Sequence, residues 1–254
     1  MRDQLKKIIF RIAGPKGYER AYAKGKIADI KKKKLNEPEL DFLNRFIKST
    51  STVLDLGANY GHYTIEMARL CPAGKVHAFE PVPFTFRVLE RVVDHFKMDH
   101  ISLHHLAVSD AAGQVEMVLP LLPFGAPNTG VAYIGNKEDG DSEKVNIQTV
   151  TLDEMPIKGK VDFIKMDIEG HEPKAMKGME QLIAENRPVI LIEFSHSCLQ
   201  RAGAEPGEFS EYLQGKLQYE FHQVQGRQLK HVTSKVPQDG YYFLIPAEKT
   251  DHTR

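Results

Sequence analysis

The sequence predicts an α/β fold built on a mostly parallel sheet of about seven strands. Short apolar runs of strand length alternate with stretches of helical periodicity from residue 52 to 108, and again from 163 to 194. Between these two regions, residues 114–119 and 145–150 alternate apolar and polar side chains, which is typical of antiparallel strands. We therefore expect flanking helices and a hairpin or loop insertion near 112–150. A chain of 254 residues, 41% of them hydrophobic, is long enough to bury one large core.

The first part of the chain supplies three of the predicted parallel strands. Leu40, Leu43, Phe46 and Ile47 have helical spacing after Pro38. Strands are then predicted at 52–56, 75–79 and 101–108, with helices at 63–70 and 84–96 between them. Because helical crossovers join these strands, their carboxyl ends should meet at one edge of the sheet.

The second part of the chain completes the predicted sheet. Residues 120–144 contain three prolines and several glycines, so we expect a mobile loop there. Further strands are predicted at 163–166 and 188–194, helices at 173–185 and 209–217, and a closing strand pair at 219–224 and 241–245. We divide the chain into a basic extension (1–34), one domain (35–248) and a C-terminal tail (249–254).

The charge of the chain is unevenly distributed. Residues 1–34 hold 12 Lys and Arg against 3 Asp and Glu, whereas the remainder has a net charge of −9. We expect a solvated, partly helical extension, and a peripheral contact with an anionic membrane or a glycolipid stays open. Nucleic acid is disfavoured because the chain lacks an aromatic-rich RNA-binding signature.

Targeting and cysteine patterns point to the cytoplasm. No apolar run approaches the roughly 20 residues of a membrane span, and none has the length of a secretory signal core. Cys71 and Cys198 are far apart and do not suggest a disulfide framework. We therefore expect a cytoplasmic protein, with membrane association left open.

The stretch VLDLGANYGHYT at 53–64 is the first candidate site. Asp55 ends a predicted strand, and Gly57 and Gly61 bracket the turn into the next helix. A dinucleotide site favours G-x-G-x-x-G, whereas the spacing here is G-x-x-x-G after an aspartate. An aspartate repels a pyrophosphate but stabilises an amino group. The turn therefore favours a nucleoside that carries an amino acid, and it disfavours a dehydrogenase.

The next two predicted strands also end in polar residues. Glu80 follows the second strand, where a carboxylate can accept hydrogen bonds from two ribose hydroxyls. Ser109 and Asp110 follow the third strand, where they could meet the edge of an adenine. Taken singly, each could be an ordinary turn residue or helix cap.

The stretch FIKMDIEGHE at 163–172 crowds ionisable groups at the end of another strand. Asp167, Glu169 and His171 are candidates for acid–base chemistry, and the usual pKa of histidine suits a base near neutrality. His196, after the following strand, is a second candidate for the base. Asp167, Glu169 and Glu193 could hold Mg²⁺, but no spacing requires a metal ion.

Together these motifs resemble the FkbM family of class I S-adenosylmethionine (SAM)-dependent methyltransferases. The matching stretches are VLDLGANYGHYT, HAFEPVP, LAVSD, VTLDE, FIKMDIEGHE, ILIEFS and YYFLIP, spread over residues 37–247. The resemblance implies a Rossmann-like fold and a set of roles. Gly57, Asn59 and Gly61 would line the methionine end of SAM with Asp55 behind them, Glu80 would hold the ribose, Ser109 and Asp110 the adenine, and Asp167 would lie beside the sulfonium and the incoming substrate.

The function that this resemblance implies is methylation of a hydroxyl on a sugar, glycan, glycolipid or secondary metabolite, with S-adenosylhomocysteine (SAH) as the second product. A hydroxyl acceptor needs a general base, which the FIKMDIEGHE stretch could supply. Two alternatives stay open: an N-methyltransferase acting on RNA or protein, and a SAM-binding protein without catalytic activity.

Overall fold

A computed structural model describes residues 2–34, 37–128, 132–134 and 141–252. Eight strands form the main sheet: β1 (Thr52–Leu56), β2 (Lys75–Phe79), β3 (Ile101–His104), β8 (Val161–Met166), β9 (Val189–Phe194), β10 (Tyr219–Gln225), β11 (Gln228–His231) and β12 (Gly240–Pro246). Their order is β11-β10-β12-β9-β8-β1-β2-β3, parallel from β9 to β3 and antiparallel from β9 to β11. The prediction of a mostly parallel α/β sheet is confirmed.

A smaller sheet is formed by the predicted insertion together with one short strand that precedes it. Its strands are β4 (Ala107–Val108), β5 (Gly113–Pro120), β6 (Tyr133–Ile134) and β7 (Ser142–Val150), in the order β4-β7-β5-β6. The predicted strand 101–108 is wrong in one respect, because β3 ends at His104 and β4 pairs with β7 instead. An apolar run predicts a strand but does not identify its neighbour. Residues 129–131 and 135–140 of the predicted loop lie outside the described residues.

Eight α-helices are described: α1 (Arg2–Lys31), α2 (Leu43–Phe46), α3 (His62–Leu70), α4 (Pro83–Phe96), α5 (Glu172–Lys177), α6 (Glu180–Asn186), α7 (His196–Arg201) and α8 (Pro206–Glu211). The predicted helix 173–185 is in fact two helices, α5 and α6. At Gly178, between them, a Cβ atom would lie 1.9 Å from the carbonyl oxygen of Ser109. The predicted helix 209–217 begins earlier and ends in a π-helical turn, Tyr212–Lys216. Sequence periodicity did not predict α7.

The basic N-terminal segment forms α1, which kinks at Gly14 (φ 65°) before Pro15. Its second half packs against α4 and buries Tyr18, Ala23 and Ile30. Glu19 is 4% exposed and accepts hydrogen bonds from Arg87 and Arg91 of α4 at 2.6 and 2.9 Å. This part of the segment therefore contributes to the packed body of the protein, while the domain boundaries at 34/35 and 248/249 stay predictions. In the described part of the chain, no helix has the length and apolarity to cross a bilayer.

Two apolar clusters cover the two faces of the main sheet. Leu54, Leu56 and Ile164 belong to one cluster, and Val53 and Phe163 to the other, as the alternation along a strand requires. All five residues of β1 are buried, including Asp55. The direction of strand order reverses between β1 and β8, so a crevice is expected at their carboxyl ends.

Candidate functional site

The glycine turn after β1 is held by the end of β2. The N–H groups of Gly57 and Ala58 both donate to the carbonyl oxygen of Phe79, at 3.0 and 2.9 Å. Gly57 has a φ of +76°, and a Cβ atom there would lie 1.9 Å from the carbonyl oxygen of Asp167. Only glycine allows the end of β1 to approach the end of β8 this closely.

Glu80 joins the glycine turn to the end of β2. Its Oε2 atom accepts a hydrogen bond from the N–H of Asn59, and its Oε1 atom accepts one from Val82, both at 2.9 Å. Burial raises the pKa of Glu80 to about 7, although the two N–H donors act in the opposite direction. Each carboxyl oxygen has a second lone pair, so Glu80 can also accept hydrogen bonds from ligand hydroxyls.

Asp55 lies behind the glycine turn and is fully buried. Its Oδ2 atom accepts a hydrogen bond from Thr64 of α3 at 2.6 Å, and its Oδ1 atom lies 4.0 Å from the Nζ atom of Lys165. Lys165 also donates to the carbonyl oxygen of Gly57 at 3.0 Å. Asp55 therefore fixes the turn and the start of α3 from behind.

Asp167 is the centre of a polar cluster at the end of β8. Its Oδ2 atom accepts hydrogen bonds from the hydroxyl of Tyr241 at 2.8 Å and from Lys165 at 3.3 Å. Burial alone would raise the pKa of Asp167, but the charge of Lys165 and the hydrogen bonds from Tyr241 and Glu193 lower it. Asp167 is therefore ionised at neutral pH.

Glu193, on β9, shares a hydrogen bond with Asp167. Burial and the negative charge of Asp167 raise the pKa of Glu193 to about 8. At pH 7 most of Glu193 is protonated and donates to Asp167, and a modest rise in pH removes that proton. The cluster therefore contains one carboxylate with a lowered pKa and one whose pKa is raised to about 8.

One cavity collects these groups and encloses about 990 Å³, part of it open to solvent. We call it the first cavity. Six of the predicted site residues line it: Gly57, Asn59, Glu80, Asp167, Glu169 and His171. Glu193 and Tyr241 also line it, and the small sheet contributes Met117, Ala132 and Ile134. Apolar walls with a few convergent polar groups are typical of a small-molecule site.

His171 lies in a separate network at the wall of this cavity. Its Nε2 atom is 2.9 Å from Ser109 Oγ, which donates to Asp110 at 3.0 Å. Burial and the charge of Lys174 lower the pKa of His171 to about 4. Ser109 and Asp110 lie behind His171 and are not among the lining residues.

His196 and Gly61 do not line the first cavity, and Glu169, which does, has a second partner outside it. The Nδ1 atom of His196 is 2.6 Å from Asp239, in a half-exposed pair outside the first cavity. Glu169 lines the cavity but also pairs with Arg201 at 3.4 Å. Gly61 (φ +84°) is the N-cap residue of α3. A Cβ atom at Gly61 would lie 2.7 Å from the side chain of Leu89, so this glycine serves packing beneath the turn.

A family model described as the methyltransferase FkbM domain matches residues 55–223, which is more than half of the chain. The chain belongs to the FkbM methyltransferase family. The crystal structure of methyltransferase FkbM from Methylobacillus flagellatus KT has a TM-score of 0.50 and 18% identity, covering 78% of this chain and 44% of that one. This likeness shows the shared fold.

Two curated relatives of this FkbM-family chain are more similar in sequence. Methyltransferase 1 of Beauveria bassiana is 24% identical over 51% of this chain and 59% of that protein. Hexuronic acid methyltransferase AglP of Haloferax volcanii is 26% identical over 63% of this chain and 59% of that protein. The chain thus spans about three fifths of the length of these relatives.

Sequence reasoning missed Lys165 and Tyr241 in this FkbM-family site, and considered Glu193 only as a ligand of Mg²⁺. Lys165 does leave a signal, because a lysine between Ile164 and Met166 in a buried strand requires a charged partner. Tyr241 leaves none, since only the pairing of β12 with β9 brings it to Asp167. Among the described residues, no group of three or more His, Cys, Asp or Glu side chains is arranged to hold a metal ion.

Proposed function

We propose that this FkbM-family chain transfers a methyl group from SAM to a hydroxyl oxygen of a sugar, glycan, glycolipid or related metabolite. One observation carries the proposal. A single cavity contains Glu80, suited to ribose hydroxyls, and the Asp167–Glu193 pair, suited to deprotonating an acceptor. Methylation of oxygen requires both a bound donor and a base within reach of the acceptor.

The residues present fit SAM. Asn59 has a buried Oδ1 atom with no hydrogen-bond partner among the described residues, and its N–H is already bound by Glu80. That amide oxygen is free to accept a hydrogen bond from a ligand amine, and Glu80 from the ribose hydroxyls. When bound, SAM supplies an electrophilic methyl group on a sulfonium. The chain contributes orientation, exclusion of water and removal of a proton.

We place the base at Glu193. A general base works best when its pKa lies near the working pH, and the pKa of Glu193 is about 8. His171 is a weaker candidate because its pKa is about 4 and its Nε2 atom contacts Ser109. Tyr241 and Lys165 hold Asp167 in its charged form, and that charge keeps Glu193 basic. An amine acceptor can release its proton after transfer, so a base poised in this way favours oxygen over nitrogen.

The acceptor class is supported by one relative. AglP is named as a hexuronic acid methyltransferase, so a sugar that carries hydroxyls and a carboxylate is the first class to test. Contact with an anionic membrane is a further part of the proposal. Ile8 and Ile12 of α1 are 52% and 82% exposed and stand among exposed Lys7, Arg11 and Lys16, a combination that suits peripheral membrane binding.

Calorimetric titration with SAH, using NAD⁺ as the control ligand, tests the donor site. We expect binding of SAH alone, with Glu80→Gln weakening it about tenfold or more and Glu90→Gln, an exposed control on α4, leaving it unchanged. Labelled SAM then tests transfer to glucuronides and glucosides. Absence of SAH binding would refute the donor assignment, whereas SAH binding with transfer only to amines would refute the oxygen acceptor.

A further inference from the structure

We propose that a second cavity, walled by α1, is a subsite for a carboxylate that carries a neighbouring amine or hydroxyl, with Lys26 as its cation. The inference rests on the proposed function and deepens it. Two ligands have this chemistry: the amino-acid tail of the methyl donor and an acidic sugar acceptor.

The second cavity adjoins the first one and also encloses about 990 Å³, part of it open to solvent. Gly57, Asn59, Asp167 and Tyr241 line both cavities. The outer wall comes from α1, from the residues that lead into α3 and from the segment after β5, and it includes Lys6, Tyr22, Lys26, Tyr60 and His62. A group bound in the second cavity therefore meets one bound in the first beside Asn59 and Asp167.

Lys26 is held between two tyrosine rings. Its Nζ atom lies 4.5 Å from the ring centroid of Tyr60 and 5.4 Å from that of Tyr22, and the two centroids are 4.9 Å apart. Tyrosine faces attract the ammonium group but leave its N–H donors available to an anion. The half-buried position of Lys26 also reduces solvent screening of its charge.

No carboxylate of the described residues pairs with Lys26. The acidic groups of α1 with described side chains are engaged elsewhere, Glu19 with Arg87 and Arg91, and Asp29 with Lys34. Lys6 and Lys165 also line the second cavity. The ammonium group of Lys165 is bound by Asp167 and by the carbonyl oxygen of Gly57, and that of Lys6 lies 5.9 Å from the ring centroid of Tyr22. His62, in the same wall, adds no further cation, because burial and the charge of Lys26 lower its pKa to about 4. Lys26 is therefore a preformed cationic contact beside the cavity.

The rest of the second cavity supplies the complementary acceptors. The carboxylate of Glu37 lies beside the Tyr63 hydroxyl in this wall, and its buried Oε2 atom has no hydrogen-bond partner among the described residues. Asp167 carries the charge already described. A ligand that offers only a carboxylate would satisfy Lys26 but be repelled by these oxygens. An amine or hydroxyl beside the carboxylate would donate to them. Both requirements are met by an α-amino acid, and by a hexuronic acid, which carries a ring hydroxyl on the β-carbon of its carboxylate.

Two matched ligand pairs distinguish the sources of the carboxylate. SAH and 5′-methylthioadenosine share the adenosine and thioether, and only SAH has the amino-acid tail. With SAH present, p-nitrophenyl β-glucuronide and p-nitrophenyl β-glucoside differ only in the carboxylate. Calorimetry of all four ligands is made on the full chain and on its Lys26→Met, Lys26→Arg and Lys24→Met variants.

We expect Lys26→Met to weaken the binding of one carboxylate ligand, SAH or the glucuronide, about tenfold or more. The affinity for the matched ligand without the carboxylate should not change. Lys26→Arg should restore most of the binding, and Lys24→Met, an exposed control on α1, should bind like the wild type. A selective effect on SAH assigns the subsite to the donor tail, and one on the glucuronide assigns it to the acceptor. The inference would be overturned if Lys26→Met changed the affinity for both members of each ligand pair equally, or changed none of the affinities. Wild-type protein that binds no adenosine ligand would instead refute the proposed function.

Discussion

Replacement of Gly57 by alanine tests the close approach that forms the first cavity. Two effects at this position lower the free energy of unfolding, and they add. The φ of +76° is strained for alanine, at about 1–2 kcal/mol. The new Cβ atom would also lie 1.9 Å from a backbone oxygen of Asp167, and relief of such overpacking costs about 1–3 kcal/mol. We therefore expect Gly57→Ala to lower the free energy of unfolding by roughly 2–5 kcal/mol.

Gly226 provides the matched control. It has a φ of +62° in the turn between β10 and β11, and a Cβ atom there would have no heavy atom within 4 Å. Gly226→Ala should therefore cost only the backbone strain, about 1–2 kcal/mol. The difference between the two variants isolates the contact with Asp167.

Thermal unfolding and SAH calorimetry measure the two consequences. For a chain of this length, 1 kcal/mol corresponds to about 2 °C in Tm. The Tm should fall by about 4–10 °C in Gly57→Ala and about 2–4 °C in Gly226→Ala. Only Gly57→Ala should weaken SAH, because relief of the clash moves Asn59 or Asp167. Equal Tm losses with unchanged SAH affinity in both variants would refute the reasoning.

Three further perturbations test the buried charges and α1. Lys165→Met leaves Asp55 and Asp167 without their cation, so it should lower the free energy of unfolding, measured in urea, by about 3–5 kcal/mol. The control Lys177→Met, at an exposed position, should lower it by about 0.5 kcal/mol or less. The pKa of Asp167 is lowered, so the share of this loss that comes from Asp167 should be full above pH about 4 and shrink as the pH falls further. Equal urea midpoints for Lys165→Met and Lys177→Met would contradict the prediction. The kcat/KM of the wild type should rise with pH through about 8, as Glu193 loses its proton. Glu193→Gln should reduce kcat about 10²-fold or more, with little change in Tm. If the kcat/KM of the wild type instead fell as the pH rose through this range, the base would lie elsewhere. Deletion of residues 1–34 should lower the Tm by several degrees, because α4 loses the apolar side chains that pack against it. The deletion should also abolish sedimentation of the protein with anionic vesicles. An unchanged Tm would show that α1 does not contribute to the packed body.

Local patterns predicted the parts of the structure that depend on local physics. The bounds of β1 and β2 follow from short apolar runs between turn residues, and the predictions match the structure residue for residue. The glycine turn and Glu80 follow from their positions at the ends of those strands. Six of the predicted site residues consequently share one cavity.

Contacts between distant parts of the chain were beyond the sequence. Tyr241 reaches Asp167 only because β12 inserts beside β9 in antiparallel register, and one sequence does not determine such pairing. The high pKa of Glu193 depends on the same pairing. The charge of residues 1–34 suggested a solvated extension, whereas the packing of Tyr18 and Ile30 depends on a surface of α4, which lies roughly 50 to 80 residues further along the chain.

The wide spread of the two cavities along the chain affects how ligands can be found. The lining residues extend from Lys6 to Tyr241, so partial unfolding at either end of the chain removes part of the binding surface. A bound molecule therefore stabilises almost the whole fold rather than one loop. At a concentration of 100 Kd, this linkage amounts to about 2.7 kcal/mol, or about 5 °C in Tm. A melting curve is thus a direct screen for acceptors, and it requires no methyl transfer.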